Sequence, residues 1–404
     1  MTAIDQRADG AFRASMLLSD QRYRSITIQA LTLALFIAAV GWLVNNAVMN
    51  LAAQGKTFDF GYLGGVAGFD INQYLIPFTP QMTNGRAVVV GALNTLLVAA
   101  LGCVLATICG VGAGVLRLSS NWLVARVASF YVEIFRNIPV LIIILTINAV
   151  MSETMPAPRA FRGEDATASM ILWDTVAVTN RGVYAPRPVF HDGALALGLI
   201  LLASVVAAVA FGRYAAARRN ATGDAPPALP WQIAIVALPA LVAYYLLGRP
   251  VGLDVPVLKG FNFAGGVQLS GAFIALWFAL SIYTGAFIAE NVRAGILAVS
   301  KGQSEAAASL GLRPGRTMRL VVLPQALRVI VPPLISHYLN LTKNTSLAMA
   351  VGYMDLTAIT RIIINQTGRA FEAILLLMAF YLTISLMIST LMNWYNASIR
   401  LKER

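Results

Sequence analysis

Apolar residues in this chain come in long unbroken runs, not in the alternating or 3.6-residue rhythm of a soluble domain. Runs that approach or exceed the ~20 residues needed to carry a helix through a hydrocarbon core lie near 26–49, 87–116, 127–151, 194–212, 231–247, 271–297, 325–352 and 373–394. Short alternating strands, the mark of a membrane barrel, are lacking from the pattern. The runs predict an all-α fold, a polytopic membrane helix bundle of about eight transmembrane helices. The first 25 residues are polar and carry four arginines. The run that follows is longer than a signal-peptide core and shows no clear small-residue cleavage site, which predicts a retained first span.

Composition agrees with the pattern: 58% of the 404 residues are hydrophobic, 12% are charged, and mean hydropathy is +0.71. The net charge of +12 is unevenly spread. With the N-terminus inside, the inner loops and tails hold 16 Lys and Arg against 6 Asp and Glu, and the outer loops hold 10 of each. That bias predicts both termini on the cytoplasmic side. It explains the basic balance through loop charge and anionic membrane lipid, so no nucleic-acid partner is implied.

Little in the chain points to catalysis or to metal binding. Cys103 and Cys109 both sit inside the second run, and His191 and His337 have no partner at ligand spacing. The stretch NLAAQGKT, Asn50–Thr57, is similar to a phosphate-binding loop, but Asn50 stands where that loop has glycine and a membrane span precedes it where a strand belongs. An intramembrane enzyme would need a nucleophile with a base, or a metal triad, and the residues supply neither.

The chain divides by texture. Residues 1–86 hold the N-terminal tail, the first span and an outer loop; 87–151 and 271–396 are rich in glycine, proline and intramembrane polar residues. Residues 152–270 contain two plainer spans with long loops and read as an insertion, and 397–404 form a C-terminal tail. The polar loop 152–193 is expected outside and partly ordered at best.

The longest inner connection, 298–324, contains SEAAASLGLRPG, Ser304–Gly315. Ser304 can N-cap a helix, Glu305 suits its first turn, Ala306, Ala307 and Ala308 favour it, and Gly311 with the following RPG stops it. A helix of about six or seven residues is too short to stand alone in water, and its alanine face offers little to a bilayer. A groove in another protein is the better partner.

Charges inside spans are costly and face a partner or a cavity. Glu133 with Arg136 and Glu290 with Arg293 have i,i+3 spacing, which fits internal ion pairs that fix helix packing or line a path. In PPLISHYLNLTKNTSL, Pro332–Leu347, two prolines and a polar run predict an interrupted span. Freed amides there can meet a carboxylate, making Asn344, Thr345 and Ser346, with Lys343 nearby, candidates for substrate contact. The alternative is plain helix packing, with Thr345 and Ser346 bonded to their own backbone and Lys343 reaching to the interface.

GQSEAAASLGLRPGRTMRLVVLPQALR (Gly302–Arg328) resembles the EAA loop of ABC-importer permeases through Glu305-Ala306-Ala307, Gly311 and Leu323-Pro324. VEIFRNIPVL (Val132–Leu141), GAFIAENVRAGI (Gly285–Ile296), LPQALR (Leu323–Arg328) and LTKNTSL (Leu341–Leu347) resemble the polar amino-acid permeases. Length and the extra spans are most similar to a permease subunit of the broad-specificity L-amino-acid importers of Gram-negative bacteria. Asn344 stands where that family usually has aspartate, and Asn137-Ile138 where it has glycine-threonine. The resemblance implies a type I ABC importer permease core with two extra spans, in the bacterial inner membrane. It further implies a second homologous permease as heterodimer partner, two ATP-binding subunits and a periplasmic amino-acid-binding protein that delivers L-amino acids. The chain would be no enzyme and would bind no cofactor, ATP being used by the ATPase subunits, with Ser304, Glu305, Ala306, Ala307 and Gly311 forming the coupling helix. An ion-gradient-driven secondary amino-acid transporter is the alternative, whose sign would be matching interrupted spans in two halves.

Overall fold

The computed structural model describes residues 21–53, 55, 58–163, 166–223 and 227–399. The tails beyond these, at 1–20 and 400–404, and Gln54, Lys56 and Thr57 of the stretch Asn50–Thr57 lie outside the described residues.

A long helix, α1 (Gln21–Ala53), presents its large apolar side chains outward from Tyr23 to Met49. The centre of the molecule is the pair α2 (Asn84–Leu116) and α7 (Gly271–Leu297). Small residues let their backbones approach: Gly102, Ala106, Gly110 and Gly114 on α2 face Ser281, Gly285, Ile288, Ala289 and Val292 on α7. Without a hydrophobic drive between helices in lipid, this close contact is what holds the pair.

Between them in sequence, α3 (Trp122–Asn137) and α4 (Val140–Thr154) meet at a bend of 108°. The single span expected at 127–151 is therefore a broken one. Pro139 has no N–H to continue the helix, and it forces Ile138 into extended backbone (φ −97°, ψ 132°), so α3 ends beside it. Seven helices among the described residues are long and apolar enough to cross a membrane alone, and the bent pair makes an eighth span.

After α7 come α8 (Lys301–Ser309) and α9 (Pro314–Thr317), then a π-helical turn at Met318–Val322 that runs into α10 (Leu323–Asn344). The interruption expected at Pro332-Pro333 does not occur; α10 passes through both prolines. Their missing N–H groups leave the carbonyls of Arg328 and Val329 without helical donors, and on the same turn Asn291 Nδ2 of α7 donates to the neighbouring Ile330 O at 2.8 Å, tying that turn to α7. The irregular backbone sits at the two ends instead. The wide π turn precedes Pro324, whose ring would crowd an α-helical carbonyl, and a 3-10 turn, Thr345–Val351, follows Asn344. Two helices complete this part, α11 (Leu356–Thr367) and α12 (Ala370–Ile399).

The segment 152–270, expected from its texture to be an insertion, contributes α5 (Ala194–Thr222) and α6 (Ala228–Leu246), which pack on each other; Gln232 Nε2 donates to Ala208 O at 3.1 Å. Its loops are more ordered than the sequence suggests. Seven short strands, β1 (Ala177–Thr179), β2 (Gly182–Ala185), β3 (Arg187–Phe190), β4 (Val251–Asp254), β5 (Val257–Lys259), β6 (Asn262–Ala264) and β7 (Val267–Ser270), form three small antiparallel sheets. The pairs β2–β7 and β3–β4 join segments on either side of α5 and α6, a non-local register that no local pattern announces. Tyr184, Ala177 and Phe263 make a small core of their own there.

Candidate functional site

The candidate side chains gather at two places: the connection after α7, and the contact of α7 with α3 and α10.

The first is α8. Its N-cap is Ser300, not Ser304: the chain turns helical four residues earlier than the sequence suggests, as Gln303 N–H already donates to Ser300 O at 3.1 Å. Ser304 and Glu305 consequently lie mid-helix, exposed to solvent, and the helix is nine residues long. Ala307 alone is buried, against the π turn side of the loop; Ala306 and Ala308 are open, and so is Leu310, 81% exposed. Gly311 stops the helix with φ +76°, a left-handed conformation that suits glycine. Its N–H donates to Ala308 O at 2.9 Å, and Leu312 N–H to Ala307 O at 3.1 Å. Pro314 then opens α9, and Gln325 Nε2 donates to Gln303 Oε1 at 3.3 Å, so α8 is fixed to the span that follows it. The result is a rigidly connected short helix with an open alanine and leucine face.

The second place is built around Glu290 of α7. Its carboxylate meets three guanidinium groups: Arg117 at the end of α2, Arg293 at 3.3 Å and Arg136 of α3 at 3.7 Å. The pair Glu290–Arg293 forms as the spacing predicts. The pair Glu133–Arg136 does not, because Glu133 lies on the exposed face of α3 while Arg136 turns toward α7. An ion pair on an open helix face gains little, whereas a half-buried carboxylate draws cations strongly. Arg117 was hidden from sequence reasoning because i,i+3 spacing finds partners only within one helix; it also donates through Nε to Ser129 Oγ at 3.3 Å.

Beside this cluster is a polar cavity of about 220 Å³ lined by Tyr283, Thr284 and Phe287 of α7 and by His337, Asn340 and Asn344 of α10. Asn344 is thus at a cavity wall. Its three neighbours in sequence go elsewhere: Thr345 is buried, donates to Thr342 O at 2.7 Å and lies 3.4 Å from the Tyr381 hydroxyl; Ser346 Oγ donates to Lys343 O at 2.8 Å; Lys343 is exposed. The other five lining residues escaped the sequence reading. Their signal was present as helical spacing, 283-284-287 and 337-340-344, which puts each set on one face.

At the opposite end of the bundle from α8, Asp355 N-caps α11 by accepting from Ala358 N–H at 2.9 Å. Burial pushes its carboxyl up to about 6, while the backbone donors of Ala358 and Thr357 pull the other way.

Residues 208–401 match the family model described as binding-protein-dependent transport system inner membrane component. Along nearly its full length the chain is also similar to curated permeases. It is 52% identical to the glutamate/glutamine/aspartate/asparagine transport system permease protein BztB of Rhodobacter capsulatus, covering 97% of each chain. It is 45% identical to the general L-amino acid transport system permease protein AapQ of Rhizobium johnstonii, covering 98% of this chain and 96% of that one. A third relative, the putative amino-acid ABC transporter permease protein YhdX of Escherichia coli, is 43% identical over 97% of this chain and 98% of its own. This chain belongs to the amino-acid ABC transporter permeases. The permease carries both α8 and the cavity within the matched family region, whereas Arg117 and Arg136 belong to the part shared with the full-length relatives.

Proposed function

We propose that this permease forms, with a second homologous permease, the path by which L-amino acids cross the bacterial inner membrane, received from a periplasmic binding protein and driven by two ATPase subunits. The single observation that supports the ATP-driven reading best is α8. A nine-residue helix with one buried side chain would be marginal in water, yet its Gly311 cap and its tie to Gln325 hold it in place. Such a helix is useful as a plug: Leu310 and the open alanines enter a cleft of the ATPase, Glu305 meets a basic group there, and movement of the motor passes through α9 and the π turn into α10. Loop charge supports cytoplasmic termini, which puts α8 on the cytoplasmic side and the sheets of the insertion in the periplasm.

The cavity between α7 and α10 is the part of the path this subunit offers. Its hydrogen-bonding walls, Tyr283, Thr284, His337, Asn340 and Asn344, carry no formal carboxylate, which suits a zwitterionic substrate of varied side chain.

The test is Glu305→Lys in the complete transporter. Glu305 is exposed and has no structural duty, so the variant should insert at normal abundance. Charge reversal at a docking contact should lower ATPase co-purification and substrate-stimulated ATP hydrolysis by roughly 10- to 100-fold. Normal recruitment and normal stimulated turnover would remove α8 as the coupling element.

A further inference from the structure

We propose that Arg136 is the carboxylate-recognising residue of the cavity between α7 and α10, exchanging Glu290 for the carboxylate of the amino acid as the substrate passes. The inference rests on the reading of that cavity as the path.

Charge balance is its starting point. One carboxylate, Glu290, serves three guanidinium groups near the ends of α2, α3 and α7, so the cluster carries an excess of positive charge that a second carboxylate can meet. The three arginines are held unequally. Arg117 is the tightest partner, with its side chain 11% exposed, and Arg293 is tethered on the same helix as Glu290. Arg136 is loosest, at 3.7 Å, with its side chain 41% exposed.

Position then selects the ligand. The Arg136 guanidinium lies 5.4 Å from the centroid of the Phe287 ring, and Phe287 is a wall of the cavity, its ring 6.1 Å from that of His337. Arg136 is thus a loosely paired, partly exposed cation at the border of a cavity whose lining offers only neutral polar groups and aromatic faces. An amino acid there can place its ammonium against Asn340, Asn344 or Thr284, but its carboxylate needs a charge-assisted, two-pronged donor. Arg136 supplies that fork without creating a new charge, because Glu290 remains paired with Arg117 and Arg293. The residue also sits one position before the Asn137–Pro139 elbow, where α3 and α4 meet at 108°.

The experiment uses the complete transporter in proteoliposomes with its binding protein. Arg136→Gln should lower L-glutamate and L-glutamine uptake at least tenfold at unchanged membrane abundance, Arg136→Lys should keep part of it, and E290Q/R136Q should stay as low as R136Q. If Arg136 only neutralises Glu290, the doubly neutral variant recovers uptake, and that result overturns the proposal. A second measurement needs no variant: arginine-directed dicarbonyl labelling of the wild-type complex, read by peptide mass spectrometry, should show Arg136 protected at least threefold by L-glutamate. Protection that follows the anionic-lipid content of the vesicles and not the amino acid also overturns it. Asn340→Leu and Asn344→Leu separate the two levels: if they abolish uptake while R136Q does not, the cavity stands as the path and the role of Arg136 falls. If neither asparagine matters, the path itself lies elsewhere.

Discussion

Asp355 shows how one buried side chain ties pH to stability. Its carboxylate caps α11 from a fully buried position, and burial raises its pKa from 3.8 to about 6. Between those values the fold keeps a proton that the unfolded chain has released. Its contribution is therefore fully present below the lower value, declines as pH rises through the window, and is lost above the upper one. A shift of this size corresponds to about 3 kcal/mol. Asp355→Asn keeps an acceptor for Ala358 N–H and removes the titration. The melting temperature of the wild-type protein in detergent should rise more than that of the variant when pH falls from about 7.5 to about 5; equal rises would remove Asp355 as the source. At this scale the sequence was legible where a residue reads its own helix. Gly311 announces its left-handed turn, Glu290 and Arg293 their pairing, and Asn344 a polar wall. It was illegible where partners come from elsewhere: Arg117 and Arg136 reach Glu290 from two other helices, and Thr345 turns to Tyr381, 36 positions away.

The contact of α2 with α7 is the element that positions both the cluster and the cavity, and its tolerance is set by glycine. A methyl group built on Gly110 would lie 2.5 Å from Ile288 Cβ and 2.9 Å from Gly285 O, so the helices must part to admit it. Gly112, two positions on, has open space. Alanine gains about 1 kcal/mol over glycine from helix propensity alone, while overpacking costs about 1–3 kcal/mol. Gly110→Ala should thus lower the melting temperature by several degrees, and Gly112→Ala should leave it equal or slightly raised. The opposite order would show that the α2–α7 contact is not close-packed in the membrane. Elements of this kind were mostly readable, since length and apolar content define a span. The breaks were not. Four prolines within the apolar runs behaved differently: Pro139 ended a helix, while Pro239, Pro332 and Pro333 were carried through, the last two with Asn291 bonded to the turn before them. A proline states which hydrogen bond is missing, and its neighbours in space decide whether the helix survives.

In the whole molecule, buried contacts separate into sets that scarcely mix. The central core joins α2, α4, α7 and α10, with a second group beneath α11, and among the described partly buried hydrophobic residues of the insertion only Leu269 touches the first. The insertion has its own small core in Ala177, Tyr184 and Phe263, and its two helices pair with each other. One polar contact must be kept, because Gln73 Oε1 accepts from Ser270 Oγ at 2.8 Å and Ser270 caps α7. Replacing residues 157–266 by about eight glycine and serine residues keeps that cap and removes an even number of crossings, so α7 re-enters with its direction unchanged. Loops that close over such distances cost little more when lengthened or shortened, about 0.6 kcal/mol per doubling. The shortened permease should accumulate in the membrane, bind its ATPase, and melt within about 5 °C of the full chain if the two cores are energetically independent. Failure to accumulate would mean that α5 and α6 brace the bundle through lipid-facing surfaces that α1 and α12 also present outward. Retained ATPase binding with lost amino-acid uptake would place the contribution of the insertion on the sheet-bearing side, away from α8.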